Sequence, residues 1–239
     1  MNANGGTSAT TGFFVTPGVN AFKGYGVEAN GSLFCCELVI ANGCAGAPNA
    51  LDVYGTAAAD SLNLVDTVTG NDMDCSTSNV WGSTDDDTLH GSRTTTNVDS
   101  LHGEAGEDTI RGFGGDDTCD GDGGADDIRG GEGADLIYGD AGADTLLGEE
   151  GDDTMEGGDG DDRMKGGAGD DTLNGDDDDD FVCGGAGADD LFGGLGDDDL
   201  AGETGTDTND GGEGDEVVGD YCEDEGATDC EFPDPTCAW

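Results

Sequence analysis

Basic residues are nearly absent from this sequence. Its 239 residues include 6 Lys and Arg against 57 Asp and Glu, which gives a formal net charge of −51. Proteins that bind nucleic acid or anionic lipid surfaces hold the phosphates with clustered Lys and Arg. The composition therefore excludes nucleic acid and anionic membrane surfaces as partners.

Aromatic and apolar residues are also scarce. Aromatic residues make up 6% of the chain, and no apolar stretch approaches the roughly 18 residues that a membrane-spanning helix needs. Low hydrophobicity combined with extreme charge is typical of chains that cannot bury enough apolar surface to fold unaided. The sequence therefore predicts no membrane span, and it predicts either a disordered chain or one that a cation holds together.

A nine-residue repeat separates these two alternatives. Residues 103–219 divide into thirteen consecutive nonapeptides without insertion or deletion. They read GEAGEDTIR, GFGGDDTCD, GDGGADDIR, GGEGADLIY, GDAGADTLL, GEEGDDTME, GGDGDDRMK, GGAGDDTLN, GDDDDDFVC, GGAGADDLF, GGLGDDDLA, GETGTDTND and GGEGDEVVG. Position 1 is always Gly, and position 4 is Gly except at Asp178. Position 6 is Asp except at Glu216, and position 8 is apolar except at Asn209. This fixed period predicts a solenoid, in which each unit packs on its neighbours.

Each repeat position has a physical reason. Gly at positions 1 and 4, often with Gly at position 2, is expected to permit turns with positive φ that point backbone carbonyls at a common spot. Asp at position 6 adds a carboxylate beside those carbonyls, and a ligand set made only of oxygen suits Ca²⁺ rather than zinc or copper. Positions 7 to 9 predict a short strand whose middle residue points inward.

The repeats resemble the GGxGxDxUx consensus of the repeats-in-toxin (RTX) family, the haemolysin-type calcium-binding repeats. The resemblance implies an all-β fold, a parallel β-roll or β-solenoid, in which two nonapeptides form one 18-residue coil and Ca²⁺ lies between turns two repeats apart. It implies on the order of ten Ca²⁺ ions. The metal-binding residues that it implies are Gly103, Gly106, Asp108, Gly112, Asp117, Gly121, Asp126, Gly130, Gly133, Asp135, Gly139, Asp144, Gly148, Asp153, Gly157, Gly160, Asp162, Gly166, Gly169, Asp171, Asp180, Gly184, Gly187, Asp189, Gly193, Asp198 and Asp207.

Calcium is expected to be structural. Residues 103–219 contain 39 acidic and 4 basic residues, a net charge of −35. About eleven Ca²⁺ ions would add roughly +22 and leave about −13. One inward side chain per repeat buries too little apolar surface to offset the entropy of ordering the segment. We therefore expect the metal-free chain to be expanded and the calcium-bound chain to be compact.

The repeat decays towards both ends. Residues 55–63, 82–90 and 94–102 keep Asp at position 6 and Leu at position 8, with a three-residue insertion at 91–93. We interpret them as coils with poor or absent metal sites and expect 64–81 to loop out. Asp178 replaces a turn glycine, so the neighbouring site is expected to be distorted.

The predicted organisation is a small Cys-containing β cap (1–54), degenerate coils (55–102), the calcium-binding β-roll (103–219) and a Cys- and Pro-containing tail (220–239).

Nine cysteines favour disulfides and an oxidising compartment. Cys119 occupies an inward position and is expected to be a small core residue, whereas Cys183 faces outward and is placed to pair with a tail cysteine. Binding of a metal by thiolates is the alternative, but no CxxC pair occurs.

We predict an extracellular, secreted protein, because calcium sites of this kind would stay empty at the low calcium concentration of the cytosol. No signal peptide is visible in the first residues, and the final FPDPTCAW is unlike the C-terminal export signal typical of RTX proteins.

No catalytic motif is present in the sequence. HExxH and GxSxG are absent. His90 and His102 stand at outward ninth positions, where each is either a solvated side chain or part of a weak metal site or general base. We therefore predict no enzyme but an extracellular, calcium-folded structural, surface or matrix module with an unidentified partner at the cell surface or matrix. The alternatives are the calcium-dependent C-terminal repeat region of a secreted hydrolase or toxin, and a calcium buffer.

Overall fold

The computed structural model describes residues 26–27, 33–34, 50–54, 61–63, 77–213, 221–222 and 237, with side chains for 79–212 and 237. The strands are, in chain order, β1 (Gly26–Val27), β2 (Leu33–Phe34), β3 (Ala50–Tyr54), β4 (Ser61–Asn63), β5 (Thr77–Ser83), β6 (Thr88–His90), β7 (Val98–Glu104), β8 (Thr109–Gly114), β9 (Thr118–Asp120), β10 (Asp127–Glu132), β11 (Leu136–Ala141), β12 (Thr145–Glu150), β13 (Thr154–Asp159), β14 (Arg163–Ala168), β15 (Thr172–Asp177), β16 (Phe181–Gly187), β17 (Asp190–Leu195), β18 (Asp199–Gly205), β19 (Thr208–Glu213) and β20 (Tyr221–Cys222). No helix among these residues is long and apolar enough to cross a membrane.

Strands β3 to β20 form two parallel sheets. The even-numbered strands from β4 to β20 make one sheet, and the odd-numbered strands from β3 to β19 make the other. Because successive strands alternate between the sheets, one strand from each sheet and the two turns between them make one coil. This is the predicted all-β parallel solenoid. Strands β1 and β2 form a separate antiparallel pair within the segment predicted to be a cap.

Within the repeats, each residue pairs with the residue 18 positions later. Ile110 is the register partner of Ile128, and Ile137 is the partner of Met155. The predicted coil of two nonapeptides is confirmed. The strands are longer than the three residues predicted, because positions 1 to 3 of the following repeat continue the pairing, as in β12.

The core is a single file of position-8 side chains from both sheets. The buried cluster consists of Val80, Leu89, Leu101, Ile110, Cys119, Ile128, Ile137, Leu146, Met155, Met164, Leu173, Val182, Leu191 and Leu200. Asn209 takes the same place further along and is buried as well. Cys119 is therefore the predicted core residue, and burial raises the pKa of its thiol well above the ordinary value.

The degenerate coils continue the stack. Leu89 pairs with Ile110, an offset of 21 residues that reflects the predicted insertion at 91–93. The predicted loop over 64–81 is wrong for its last residues, because β5 is a strand of the odd-numbered sheet and Val80 lies in the core. Residues 64–76 lie outside the described residues. The sequence analysis missed β5 because residues 73–81, although in phase with 82–90, contain no glycine and no Asp at position 6.

Both ends of the stack extend past the predicted limits of the repeats. Strand β3, which we placed in the cap, pairs with β5, so that Val53 lies beside Val80. Strand β20, which we placed in the tail, pairs with β18. The final nonapeptide is described only as far as residue 213, so the predicted roles of Glu216 and Val218 lie outside the described residues.

Candidate metal sites along the two edges of the solenoid

The aspartates at position 6 line up in two rows, one at each edge of the coil stack. In each row, the backbone N–H of one Asp donates a hydrogen bond to Oδ1 of the Asp in the next coil. The first row is Asp87, Asp108, Asp126, Asp144, Asp162, Asp180 and Asp198. The second row is Asp99, Asp117, Asp135, Asp153, Asp171, Asp189 and Asp207. We call these two rows the aspartate ladders.

The ladder side chains are buried despite their charge. Asp144 and Asp153 each expose 1% of their surface. Their Oδ1 atoms accept hydrogen bonds of 2.7 and 2.8 Å from the preceding coil. Buried polar atoms in folded proteins nearly always have a partner, so the state of the second carboxylate oxygen is informative.

That second oxygen, Oδ2, has no hydrogen-bond partner in the described part of the chain along most of both ladders. The residues concerned are Asp108, Asp117, Asp126, Asp135, Asp144, Asp153, Asp162, Asp171, Asp180, Asp189 and Asp207. A buried carboxylate oxygen without a donor is costly, and a bound cation is one of the few ways to satisfy it.

Most of these oxygens face a space that a position-1 glycine leaves open. A Cβ added to Gly112 would lie 2.6 Å from Oδ2 of Asp117 and 2.7 Å from the carbonyl oxygen of Gly130 in the next coil. At Gly139 both corresponding distances, to Asp144 and Gly157, are 2.5 Å. A carboxylate oxygen and a backbone oxygen from adjacent coils therefore converge above the α-carbon of the position-1 glycine.

This geometry corrects the predicted role of the position-1 glycines. Their φ angles, as at Gly112, lie outside the left-handed region, so they are needed for space and not for a positive φ. Positive φ occurs instead at positions 2 and 4, as at Gly131 (124°) and Gly133 (133°). Several residues other than Gly accept it: Glu104, Phe113, Asp122, Asp140, Glu149, Asp176, Asp178 and Glu203.

Burial makes the ladder carboxylates weak acids when no cation is present. Desolvation raises the pKa of Asp117 and of Asp180 to about 8, against an ordinary value of 3.8. The pKa of Asp153 is raised to about 7 for the same reason, although its hydrogen bond from Asp135 opposes the shift. Charged neighbours in the same ladder add to the rise. The ladder therefore favours a bound proton or a bound cation over bare carboxylates.

The ladders suit Ca²⁺ among the common biological cations. All the atoms that converge on the glycine spaces are carboxylate or carbonyl oxygens, and Ca²⁺ takes six to eight such ligands in flexible geometry. No thiolate or imidazole of the described residues belongs to the ladders, and those are the ligands that zinc and copper favour.

Comparison with protein families agrees with this chemistry. A family model described as the RTX calcium-binding nonapeptide repeat matches four times, over residues 94–128, 120–155, 156–191 and 184–218. Together these matches cover more than half of the chain. The chain belongs to the RTX family. Its RTX region is a calcium-binding β-roll, a module that is itself non-catalytic. No curated protein matches the chain.

The RTX ladders include two residues that the sequence analysis did not place among the sites. Asp87 and Asp99 begin the ladders from the degenerate coils. Their Oδ2 atoms differ from the others, because the Ser83 hydroxyl donates to Asp87 at 3.4 Å and the Ser92 backbone N–H donates to Asp99 at 2.6 Å. These two donors satisfy the oxygens that a cation would otherwise bind. This agrees with the prediction that the metal sites of these coils are poor or absent.

The turn at Asp178 is not distorted. Asp178 is exposed and adopts the positive φ of a turn glycine, at 80°. The ladder hydrogen bonds from Asp162 to Asp180 and from Asp180 to Asp198, at 2.8 and 2.9 Å, match those elsewhere. The expectation of a distorted site is therefore wrong. The neighbouring coils determine the backbone path, so the side chain accepts the strain.

Position-4 glycines outside the predicted site set serve the same turns. They are Gly115, Gly124, Gly142, Gly151, Gly196 and Gly205, all with positive φ. A Cβ on any of them would overlap the carbonyl group stacked against it in the preceding coil. The repeat pattern carries the signal for these residues, since they occupy the same position as the predicted Gly106 and Gly133.

The outward position of Cys183 is occupied differently from the others. Cys183 is fully buried on the outer face of the even-numbered sheet, against Cys237, Ala201 and Phe181. The Sγ atoms of Cys183 and Cys237 lie at bonding distance, with the Cα atoms 6.1 Å apart. The Lys165 ammonium donates to the Cys237 carbonyl at 2.8 Å. A tail cysteine therefore docks where the sequence predicted a partner for Cys183.

Proposed function

We propose that this RTX protein is a structural module that works outside the cell and folds when it binds calcium there. The observation that carries the proposal is that eleven buried Oδ2 atoms of the two aspartate ladders have no hydrogen-bond partner among the described residues. A roll that leaves so many carboxylate oxygens unsatisfied is unstable unless cations, or protons at low pH, complete it. The module then serves as a spacer or as part of a surface or matrix.

The proposed ligands are the position-6 aspartates together with backbone oxygens of the glycine-rich turns. Asp117 with Gly112 and Gly130 is a representative set, because its oxygens converge from two coils. Each ion would therefore join one coil to the next. Such a linkage predicts that the sites fill cooperatively, since filling one site orders the coil that carries the next.

The proposed extracellular location rests on calcium and on cysteine. We propose that Cys183 and Cys237 form a disulfide, which supports an oxidising compartment. Peptide mapping without reductant should find this pair linked. The bridge would close 54 residues of sequence across the last coils of the roll. Closing such a loop stabilises a fold by about 2–4 kcal/mol, so we expect the reduced protein to need more calcium to fold.

The test is a calcium titration of the metal-stripped protein, followed by circular dichroism and hydrodynamic radius. We expect strand signal and compaction to appear together, steeply, with a midpoint of about 10⁻⁴–10⁻³ M, as in other extracellular calcium modules. A midpoint below micromolar would overturn the extracellular role. A strand-rich, compact protein that is indifferent to chelator would overturn calcium-dependent folding altogether.

Two alternatives make different predictions. A calcium buffer would bind ions at many independent weak sites, so calorimetry would show uptake without a cooperative folding transition. If the chain is the repeat region of a secreted hydrolase or toxin, the complete reading frame would encode a catalytic or effector domain beside it. The ladders favour the structural role over the buffer, because their aspartates are buried and hydrogen-bonded between coils instead of exposed.

A further inference from the structure

We propose that His102, Asp120 and Asp122 form a second kind of metal site, on the outer face of the odd-numbered sheet, which takes Zn²⁺ or a similar transition-metal ion. The three side chains offer one ligand atom each, and these atoms lie within 4.8 Å of one another. The site is separate from the aspartate ladders, because none of its three residues is a position-6 aspartate.

The β-sheet register brings the first two ligands together. His102 of β7 is the register partner of Asp120 of β9. The distance from His102 Nδ1 to Asp120 Oδ2 is 3.2 Å. In a tetrahedral zinc site with bonds of about 2.0–2.1 Å, neighbouring ligand atoms lie roughly 3.3 Å apart. This pair therefore already has the spacing of two zinc ligands, and the ligand atom of Asp122 lies within 4.8 Å of both.

The imidazole of His102 is held in the orientation that such a site needs. Its other ring nitrogen, Nε2, lies 2.9 Å from the Ser100 hydroxyl oxygen. The Trp81 ring stacks on it, with centroids 5.7 Å apart and planes 10° from parallel. Metal-binding histidines typically have their second nitrogen hydrogen-bonded in this way, which fixes the tautomer and the ring. Nδ1 is thereby left facing the carboxylates.

The ligand chemistry selects against calcium. An imidazole nitrogen is a good ligand for zinc and similar transition-metal ions and a poor one for Ca²⁺, which prefers oxygen. The carboxylate of Asp140 in the next coil adds negative charge near Asp120, which a bound metal ion would offset.

The other histidine provides a matched control within the chain. His90 stands at the same repeat position on the even-numbered sheet, but its neighbours there are Phe113, in edge-to-face contact, and the cations Arg93 and Arg111. Burial and these two cations lower the pKa of His90. A metal ion is disfavoured at His90, beside two guanidinium groups, and favoured at His102, beside two carboxylates, although both histidines occupy the same repeat position.

The experiment is a titration of the full chain with ZnCl₂ in saturating CaCl₂, by calorimetry. Co²⁺ is used in parallel, because its visible absorption reports nitrogen coordination and it quenches the emission of Trp81 beside His102. We expect one Zn²⁺ per chain in the wild type and in His90→Gln. His102→Gln and Asp122→Asn should each weaken binding at least tenfold, within the roughly 10–100-fold range for altered metal sites.

Three results would overturn the proposal: no zinc uptake in saturating calcium, uptake that His102→Gln leaves unchanged, or uptake of many ions in competition with calcium. The last would place zinc in the aspartate ladders. Circular dichroism in calcium checks that each variant folds, and Asp122→Asn provides the test if His102→Gln does not. Because calcium is saturating throughout, failure of this site is distinguishable from failure of calcium-dependent folding.

Discussion

The backbone N–H of Asp144 donates a hydrogen bond of 2.8 Å to Oδ1 of Asp162, which lies 18 residues later in the chain. One carboxylate thus has two roles, since Oδ1 joins adjacent coils while Oδ2 remains for a cation. Metal binding and coil stacking in this protein therefore depend on the same side chains. Removing one carboxylate should affect both.

The first prediction compares two adjacent aspartates of one turn. Asp153 is buried in a ladder, whereas Asp152 is exposed. We expect Asp153→Asn to lower the free energy of unfolding in calcium by about 2 kcal/mol, because a hydrogen-bonded, ion-binding carboxylate is lost. Asp152→Asn removes the same charge and should change it by no more than about 0.5 kcal/mol. Denaturant unfolding in saturating calcium measures both, and equal effects would contradict the ladder interpretation.

The second prediction concerns pH. In the folded, metal-free roll the pKa of Asp117 is raised to about 8 and that of Asp126 to about 7, above the ordinary 3.8. The folded state therefore binds protons more tightly than the unfolded chain, so metal-free stability is present at low pH and is lost as the pH rises through about 8. Acidifying the calcium-free protein from pH 8 to pH 5 should make it more compact.

Small-angle scattering of metal-stripped protein across this pH range measures the effect. Calcium has to displace the same protons, so its apparent affinity should fall as the pH falls. A radius that stays constant from pH 8 to pH 5, or a calcium affinity that rises on acidification, would contradict the raised pKa values.

The third prediction tests the space above the position-1 glycines. Gly112→Ala places a methyl group against Asp117 Oδ2 and the Gly130 carbonyl, and we expect a loss of about 2 kcal/mol in calcium together with weaker calcium binding. Gly123→Ala is the control, because its Cβ would meet only the Glu104 carbonyl, at 3.8 Å. Thermal unfolding with and without calcium compares them, and an unaffected Gly112→Ala would refute a shared oxygen space.

The fourth prediction concerns Asp178, which replaces the position-4 glycine within the thirteen regular repeats. Asp178→Gly should stabilise the calcium-loaded protein by about 1 kcal/mol, since a side chain at φ 80° is strained. Asp179→Gly removes an equal charge from the same turn at a residue without positive φ, so it should be neutral or destabilising. If Asp178→Gly and Asp179→Gly raise the melting temperature by the same amount, the loss of negative charge and not the relief of backbone strain explains the effect.

Much of this fold could be predicted because the repeat is strictly local. Ile128 and Leu146 recur at the same repeat position, so their stacking needs only the period and the alternation of a strand. Asp108 and Asp126 were predicted to be ligands in the same way, and the structure places both in one aspartate ladder. Val80 was missed although it stands nine residues before Leu89, because its nonapeptide contains no glycine and no Asp at position 6, and only its pairing with Leu101 in the sheet reveals its place.

The role of the position-1 glycine was misjudged for a different reason. A sequence shows that Gly112 has no side chain, but it does not show whether the backbone angle or the free space matters. Only the next coil, which brings the Gly130 carbonyl to within 2.7 Å of the missing Cβ, answers this. His90 and His102 were equivalent in sequence for the same reason, since their neighbours come from other coils.

The sequence by itself determined the coil length, the inward residues and the oxygen chemistry of the repeats, because each depends on contacts that recur every nine residues. Only the tertiary structure decided which carboxylate oxygen is left without a donor, why glycine is required at position 1, and which histidine meets two carboxylates. Those features arise between residues 18 or more positions apart, where the stacking of coils, and not the local pattern, decides which atoms meet.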